Sequence, residues 1–190
     1  MKTQKLLFAV IIAIFSTNAF AQDTNVGEHT VSIGISEVAL LDLESNSGNN
    51  ITLNATAPEE AGDKVTFEDT NADLWINYSS IVGTEQTRDV TVQITGGDVP
   101  AGIELSVKAA NDAGKGDGAM GTAVTNSIVL NDKNATSIIA GVGSAYTGDG
   151  AENGHNLTYA IKQSSDEGAY ASLNLDDSTT ISITYTLTDN

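Results

Sequence analysis

Apolar and polar residues alternate with a period of two along most of the chain after residue 30. The segment VSIGI (31–35) places three β-branched side chains on one face of an extended chain, and the alternation continues through VALLDL (38–43). The clearest example is TISITYTLT (180–188), near the end of the sequence. A period of two over this length is typical of β-strands that bury one face.

Shorter alternating segments, separated by turn clusters rich in Gly, Asn and Ser, bring the expected number of strands to roughly ten. They lie at 51–55, 65–67, 74–82, 90–94, 103–107, 128–130, 138–139, 157–161 and 173–175. No window repeats its apolar residues at the helical period. We therefore predict an all-β chain that folds as a single immunoglobulin-like antiparallel β-sandwich, with an antiparallel barrel as the alternative.

The first 21 residues have the pattern of a secretory signal peptide. Two lysines precede an unbroken apolar run at 6–15, and AFA (19–21) supplies the small residues that a signal peptidase reads. The apolar run is ten residues long, whereas a membrane-spanning helix needs about 20. We expect cleavage after Ala21, a β-sandwich domain at 22–190 and no insertion into a membrane. The product would be extracellular or at the cell surface, with the periplasm as the alternative location.

Charge and cysteine content narrow the list of partners. The sequence has 25 acidic residues against 8 basic ones, a net charge of −17, so we expect it to repel nucleic acids and anionic membrane surfaces. There is no cysteine. Stability must therefore come from burial and backbone pairing without a disulfide, even in an oxidising compartment.

Two glycine-rich stretches, at 111–121 and 141–154, interrupt the alternating pattern. Gly116, Gly118 and Gly121 match the spacing G-x-G-x-x-G of dinucleotide-binding loops. That motif requires a helix immediately after it, and the residues that follow here are mostly β-branched. The sequence therefore predicts no dinucleotide site.

Asp112, Asp117 and Asp149 could supply oxygen ligands to calcium. Neither Asp112 nor Asp149 begins an EF-hand loop, because the position where that loop needs Glu is Ala123 in one case and Ala160 in the other. An irregular calcium site stays open, beside the alternative that these side chains only form turns. The sequence predicts no other cofactor.

Trp75, Tyr78 and Tyr146 are the candidate ligand-binding aromatic residues. Aromatic rings offer apolar faces beside polar groups, so these residues predict a glycan site as an alternative function. Trp75 is the only tryptophan and falls on the opposite face of its strand from Tyr78. The more common role of a lone tryptophan is a core side chain packed between two sheets.

No motif in the sequence predicts a catalytic site. There is no G-x-S-x-G nucleophile elbow, and the only histidines, His29 and His155, belong to no recognisable triad or metal-binding spacing. We therefore expect a protein that is not an enzyme.

The segments EHTVSIGISEVALLDLE (28–44) and TTISITYTLTDN (179–190) place a strand-like element near each end of the expected mature chain. This layout resembles that of chaperone–usher-type fimbrial subunits and of spore-coat-U-like secreted proteins. The resemblance implies a β-sandwich subunit that joins its neighbours by strand addition. Many fimbrial subunits carry a disulfide, and this chain departs from them because it has no cysteine.

We therefore expect a secreted structural or adhesive surface subunit, resembling those of fimbriae, that self-associates through a sheet edge. Val31, Ile33 and Ile35 are the candidate strand-addition residues, which would fill alternate pockets on a neighbour while main-chain hydrogen bonds supply affinity. The expected partners are copies of the same chain or other surface subunits. The alternative is an extracellular module that binds a glycan or calcium through its two glycine-rich stretches.

Overall fold

The computed structural model describes residues 25–124, 126–130, 134–177 and 179–190. These residues form eleven strands and two short 3-10 helices, Ala169–Ser172 and Leu175–Asp177. The strands are β1 (Val38–Glu44), β2 (Thr70–Ile81), β3 (Arg88–Gly96), β4 (Ile103–Asp112), β5 (Asp117–Gly118), β6 (Thr122–Ala123), β7 (Ile128–Val129), β8 (Thr136–Val142), β9 (Ala145–Tyr146), β10 (His155–Gln163) and β11 (Ser182–Asp189).

The strands form two antiparallel sheets. The larger sheet has the order β5-β9-β2-β10-β4-β7, with β1 paired to the other side of β2. The smaller sheet has the order β11-β3-β8-β6. The two sheets pack face to face around one apolar core, so the predicted all-β antiparallel sandwich is confirmed.

The core follows the alternation that the sequence displays. In β3, Val90, Val92 and Ile94 are buried and the residues between them are less so. Across the core, Tyr159 of β10 and Tyr185 of β11 place their hydroxyl oxygens 2.6 Å apart, which hydrogen-bonds one sheet to the other. Burial raises the pKa of Tyr159 to about 12, so this pair stays un-ionised at neutral pH.

The chain divides into two compact units, 1–35 and 36–190. The predicted signal peptide, 1–21, lies outside the described residues. Of the first unit the structure describes 25–35, and these residues form no strand. None of the helices in the described part of the chain is long and apolar enough to cross a membrane.

Four predicted strands differ from what the structure shows. The strand expected to begin near residue 30 begins at Val38, so VSIGI (31–35) belongs to no ladder. The segments 51–55 and 65–67 form no strand. Ile51 and Leu53 pack on the core, but the bridge between Thr56 and Thr66 is isolated. The segment 173–175 leads into a 3-10 helix instead of a strand. Alternation describes the faces of a segment, whereas a strand also needs a neighbour with which to exchange hydrogen bonds.

Candidate functional site

The fold brings the two glycine-rich stretches together although they are far apart in sequence. The short strands β5 and β9, one from each stretch, pair with each other. The backbone N–H of Ala113 donates to the carbonyl of Gly154 at 2.8 Å, and that of Ala119 donates to the carbonyl of Ser144 at 3.1 Å. The two glycine-rich stretches therefore lie next to each other at one edge of the larger sheet.

The fold requires glycine at all three positions of the G-x-G-x-x-G match without any bound nucleotide. A Cβ on Gly116 would lie 1.8 Å from the carbonyl oxygen of Tyr146, so the backbones approach too closely for any side chain. Gly118 and Gly121 have φ of +101° and +76°, which L-residues with a Cβ rarely adopt. The motif match reflects this close packing of two loops.

His155 lies buried in a polar network beneath these loops, and sequence reasoning left it without a role. Its side chain is 1% exposed and its ring stacks on Tyr78, with centroids 5.7 Å apart. Its Nδ1 is 2.9 Å from the carbonyl oxygen of Ala110, and its Nε2 is 2.9 Å from the hydroxyl of Tyr78. That hydroxyl also donates to the carbonyl oxygen of Met120. The network therefore ties β2, β4, β10 and the first glycine-rich stretch together.

The protons available in this network settle the tautomer of His155. A carbonyl oxygen only accepts hydrogen bonds, so Nδ1 carries the proton that is donated to Ala110. Neutral His155 then has an unprotonated Nε2, which competes with Met120 for the single hydroxyl proton of Tyr78. Burial lowers the pKa of His155, and the neighbouring carboxylate of Asp112 partly offsets this effect. The neutral form is therefore the form that the fold favours.

We expect His155 to make the protein less stable as the pH falls from 7.5 to 5. In the unfolded chain its pKa returns to the ordinary value near 6.5, so on acidification the unfolded state takes up a proton that the folded state resists. The stability contributed by the neutral ring is present above that range and is lost below it. Urea unfolding at both pH values measures the loss.

The matched variant for this pH test is His155→Gln, whose amide can still hydrogen-bond but does not titrate. We expect it to remove most of the decrease between pH 7.5 and 5. The window stays above the ordinary pKa of carboxylates, which keeps Asp89, whose pKa is lowered by hydrogen bonds that overcome its partial burial, out of the measurement. An unchanged pH dependence in this variant would assign the effect to other groups.

The three aromatic candidates do not form one platform. Tyr78 is 3% exposed and its ring lies in the core, so it offers no face to a ligand. Trp75 is half-buried on the outward face of the larger sheet, so the expectation that it packs between the sheets is wrong. It lies on the opposite side of β2 from the core residues Leu74 and Ile76. Tyr146 is 55% exposed and faces outward.

A groove crosses the outward face of the larger sheet beside Tyr146. The register places Leu40 of β1, Ser79 of β2 and Tyr146 of β9 in one row. Leu40 is 66% exposed, and the small Ser79 lies between it and the tyrosine. The groove has a volume of about 640 Å³, and the carboxylates of Asp42 and Asp149 also line it. Among these residues, only Tyr146 and Asp149 are candidates from the sequence. Leu40 is not, because only the pairing of β1 with β2 places it in the same row as Tyr146.

The calcium candidates lie in separate turns. Asp112 accepts a hydrogen bond from the backbone N–H of Gly114 at 2.7 Å, and Asp117 accepts one from Gly118 at 2.7 Å. Asp149 lies in the loop between β9 and β10, where its carbonyl oxygen accepts from the amide of Asn153. Within the described ranges, no group of three or more His, Cys, Asp or Glu residues is placed to hold a metal ion.

Arg88 is the most consequential residue that sequence reasoning missed. Its side chain is 2% exposed at the start of β3. It joins the beginning of β1 to the end of β11, two strands that are remote in sequence. Its guanidinium donates to Asp189 at 2.7 Å, to Glu37, to Ser80 at 3.1 Å and to the carbonyl oxygens of Val38 and Ile81. No periodic pattern predicts the burial of Arg88, because in the sequence it is simply a polar residue just before an alternating segment.

The strand-addition candidates are exposed in the segment 31–35, which forms no strand. Val31, Ile33 and Ile35 are 73%, 87% and 83% exposed. In the part of the chain that the structure describes, β1 pairs with β2 alone and β11 pairs with β3 alone. Each of these two strands therefore has one open edge.

The chain matches no known protein-family model, no curated protein and no solved structure.

Proposed function

We propose that this protein is a secreted, non-enzymatic structural subunit whose copies associate by strand addition. The donor would be the segment 30–35 of one copy, and the acceptor would be the open edge of β11 in another. The observation that carries the proposal is the exposure of Val31, Ile33 and Ile35, three alternate residues of a segment that belongs to no ladder. Isolated apolar side chains at a surface are ordinary, whereas three with strand periodicity suit a sheet edge.

The charges on the open edges of β1 and β11 favour β11 over β1 as the acceptor. Natural proteins protect exposed edge strands with charged residues or proline. The edge strand β1 carries Asp42 and Glu44, next to a further acid, Glu37. In β11, residues 182–188 (SITYTLT) contain neither a charge nor a proline. A neutral, apolar donor segment such as 30–35 can pair with that edge without placing its side chains beside carboxylates.

The side chains next to the acceptor edge also support the proposal. Ile183 and Leu187 of β11 pack on the core but are only partly buried. A strand added beside β11 would place its alternate side chains next to them and remove more apolar surface from water. At about 25 cal/mol per Å² of apolar surface, such burial adds to the main-chain hydrogen bonds.

Replacement of Ile33 by lysine is the direct test of strand addition. We expect the processed protein, 22–190, to form concentration-dependent oligomers in light scattering coupled to size-exclusion chromatography. The variant Ile33→Lys should be monomeric, because it would place a charge in an apolar pocket of the neighbour. The control Ser32→Lys adds the same charge on the opposite face of the segment and should still associate.

Two results would count against the proposal. One is a processed wild-type protein that stays monomeric at high micromolar concentration. The other is an equal loss of association in both lysine variants, which would indicate charge repulsion instead of a buried side chain. Neither variant alters a residue of the sandwich, so loss of folding is not expected to interfere.

The remaining parts of the proposal follow from the predicted signal peptide. Export would deliver the subunit to the periplasm, the cell surface or the medium, where copies of itself or other surface subunits could pair with it. After cleavage behind Ala21, the donor segment would begin within ten residues of the new N-terminus. In this scheme processing also removes the leader from the segment that must enter a neighbour.

A further inference from the structure

The groove on the outward face of the larger sheet has the width of a slot for one ring. Leu40 and Tyr146 belong to strands on opposite sides of β2 and face each other across Ser79. Two strand spacings, about 9.5 Å, separate their backbones. A ring that touches apolar walls on both of its faces, at about 4 Å each, needs about 8 Å. The slot therefore suits a flat group with two apolar faces.

The polar groups around the slot accept hydrogen bonds. Ser79 lies between the two walls, and the polar residues Asp42, Asn77 and Asp149 also line the groove. One oxygen of Asp42 accepts from the backbone N–H of Leu43 at 2.7 Å, which orients the carboxylate. Among the described residues that line the groove, none is basic. Two carboxylates and no basic residue favour a ligand with hydrogen-bond donors and no negative charge.

We propose that the Leu40–Tyr146 slot binds a neutral pyranose unit of a polysaccharide. A pyranose has two apolar faces formed by C–H groups and a rim of hydroxyls, so it can contact both walls while its hydroxyls donate to the carboxylates. An ammonium group would gain from the same carboxylates, but it would lose its hydration against Leu40 without a polar partner there. An anionic sugar would be repelled by Asp42 and Asp149.

The site takes one sugar unit between its walls and does not include Trp75. That residue is on the same face of β2 but four positions from Ser79, which corresponds to about 13 Å along the strand. A second sugar of the same chain would be needed to reach it. The slot is also distinct from the edge of β11, which belongs to the other sheet, so sugar binding and self-association can be tested separately.

Affinity electrophoresis and pull-down with a fixed panel of polysaccharides test the proposal. The panel contains cellulose, chitin, xylan and amylose as neutral chains, with polygalacturonate and poly-lysine as charged controls. We expect at least one neutral chain to be retained. Tyr146→Ala and Leu40→Ala should each weaken retention by about tenfold, the size of effect that a lost stacking contact produces. Tyr146→Phe, which keeps the ring, should bind as the unaltered protein does.

Leu175→Ala is the matched control, since this leucine is 94% exposed in a 3-10 helix outside the groove. Thermal unfolding of each variant tests whether the fold is retained. Retention of no neutral polysaccharide would overturn the proposal, and so would retention that Tyr146→Ala leaves unchanged. Binding of poly-lysine alone, lost in Tyr146→Ala, would also overturn it by assigning the slot to cationic partners. Because Ile33→Lys should leave sugar retention intact, failure of strand addition and failure of this site are distinguishable.

Discussion

Replacing Arg88 by alanine is expected to lower the free energy of unfolding by about 3–5 kcal/mol. The guanidinium is almost fully buried and satisfies the carbonyl oxygens of Val38 and Ile81 at the base of the sandwich. Without it these acceptors lose their partners, and the volume of a long side chain becomes a cavity. Chemical denaturation of the purified variant measures the change.

The variants that separate geometry from charge are Arg88→Lys, Glu37→Gln and Asp189→Asn. Lysine keeps the charge but cannot reproduce the planar fork, so we expect a loss of about 1–3 kcal/mol. The two partner carboxylates are 69% and 77% exposed, so each neutral variant should cost at most about 1 kcal/mol. A Lys variant as stable as the wild type would show that charge alone matters and that the fork geometry does not.

Gly154→Ala is expected to destabilise the fold by about 2–5 kcal/mol through two separate effects. Its φ of +67° is unfavourable for alanine, at about 1–2 kcal/mol. In addition, an added Cβ would lie 2.1 Å from the carbonyl oxygen of Ile76, which belongs to the central strand β2. Because that strand is hydrogen-bonded to neighbours on both of its sides, it cannot move away without breaking contacts, and the overlap adds to the loss.

Gly150→Ala is the matched control in the same loop. Its φ is also positive, at +93°, but the nearest atom to an added Cβ is 3.9 Å away. It should therefore lose only the free energy of unfolding that the positive φ costs, about 1–2 kcal/mol. Equal losses in the two variants, measured by denaturant unfolding, would show that close approach to Ile76 does not matter.

The strands that the sequence predicts best are those whose two faces meet different surroundings. In β3 and β11 the alternate apolar residues are the ones that face the other sheet. The prediction works because one face of each strand contacts the core and the other contacts water, so burial imposes the period of two on the residue types. The glycine-rich stretches interrupt the long strands as the sequence indicates, but each also contributes a two-residue strand, β5 or β9, that the sequence does not predict.

The same pattern fails where burial is decided by neighbours that are remote in sequence. VSIGI (31–35) alternates as clearly as β3 but has no ladder, and lone Trp75 lies on the outward face of its sheet. Arg88 and His155 become important only because the fold assembles carbonyls, carboxylates and hydroxyls from four or five segments around them. The residue pattern of a single sequence does not predict those long-range contacts.

The sequence by itself determined the all-β class, the absence of disulfides, the high negative charge and the positions of most long strands. These properties depend on residue type and on a local period, which the chain carries at every position. The tertiary structure alone decided which edges stay open, that two remote glycine-rich stretches pair, and that Leu40 and Tyr146 face each other across Ser79. Strand order and register depend on pairing between segments that are remote in sequence. They bring together residues whose spacing along the chain has no fixed relation to their distance in space.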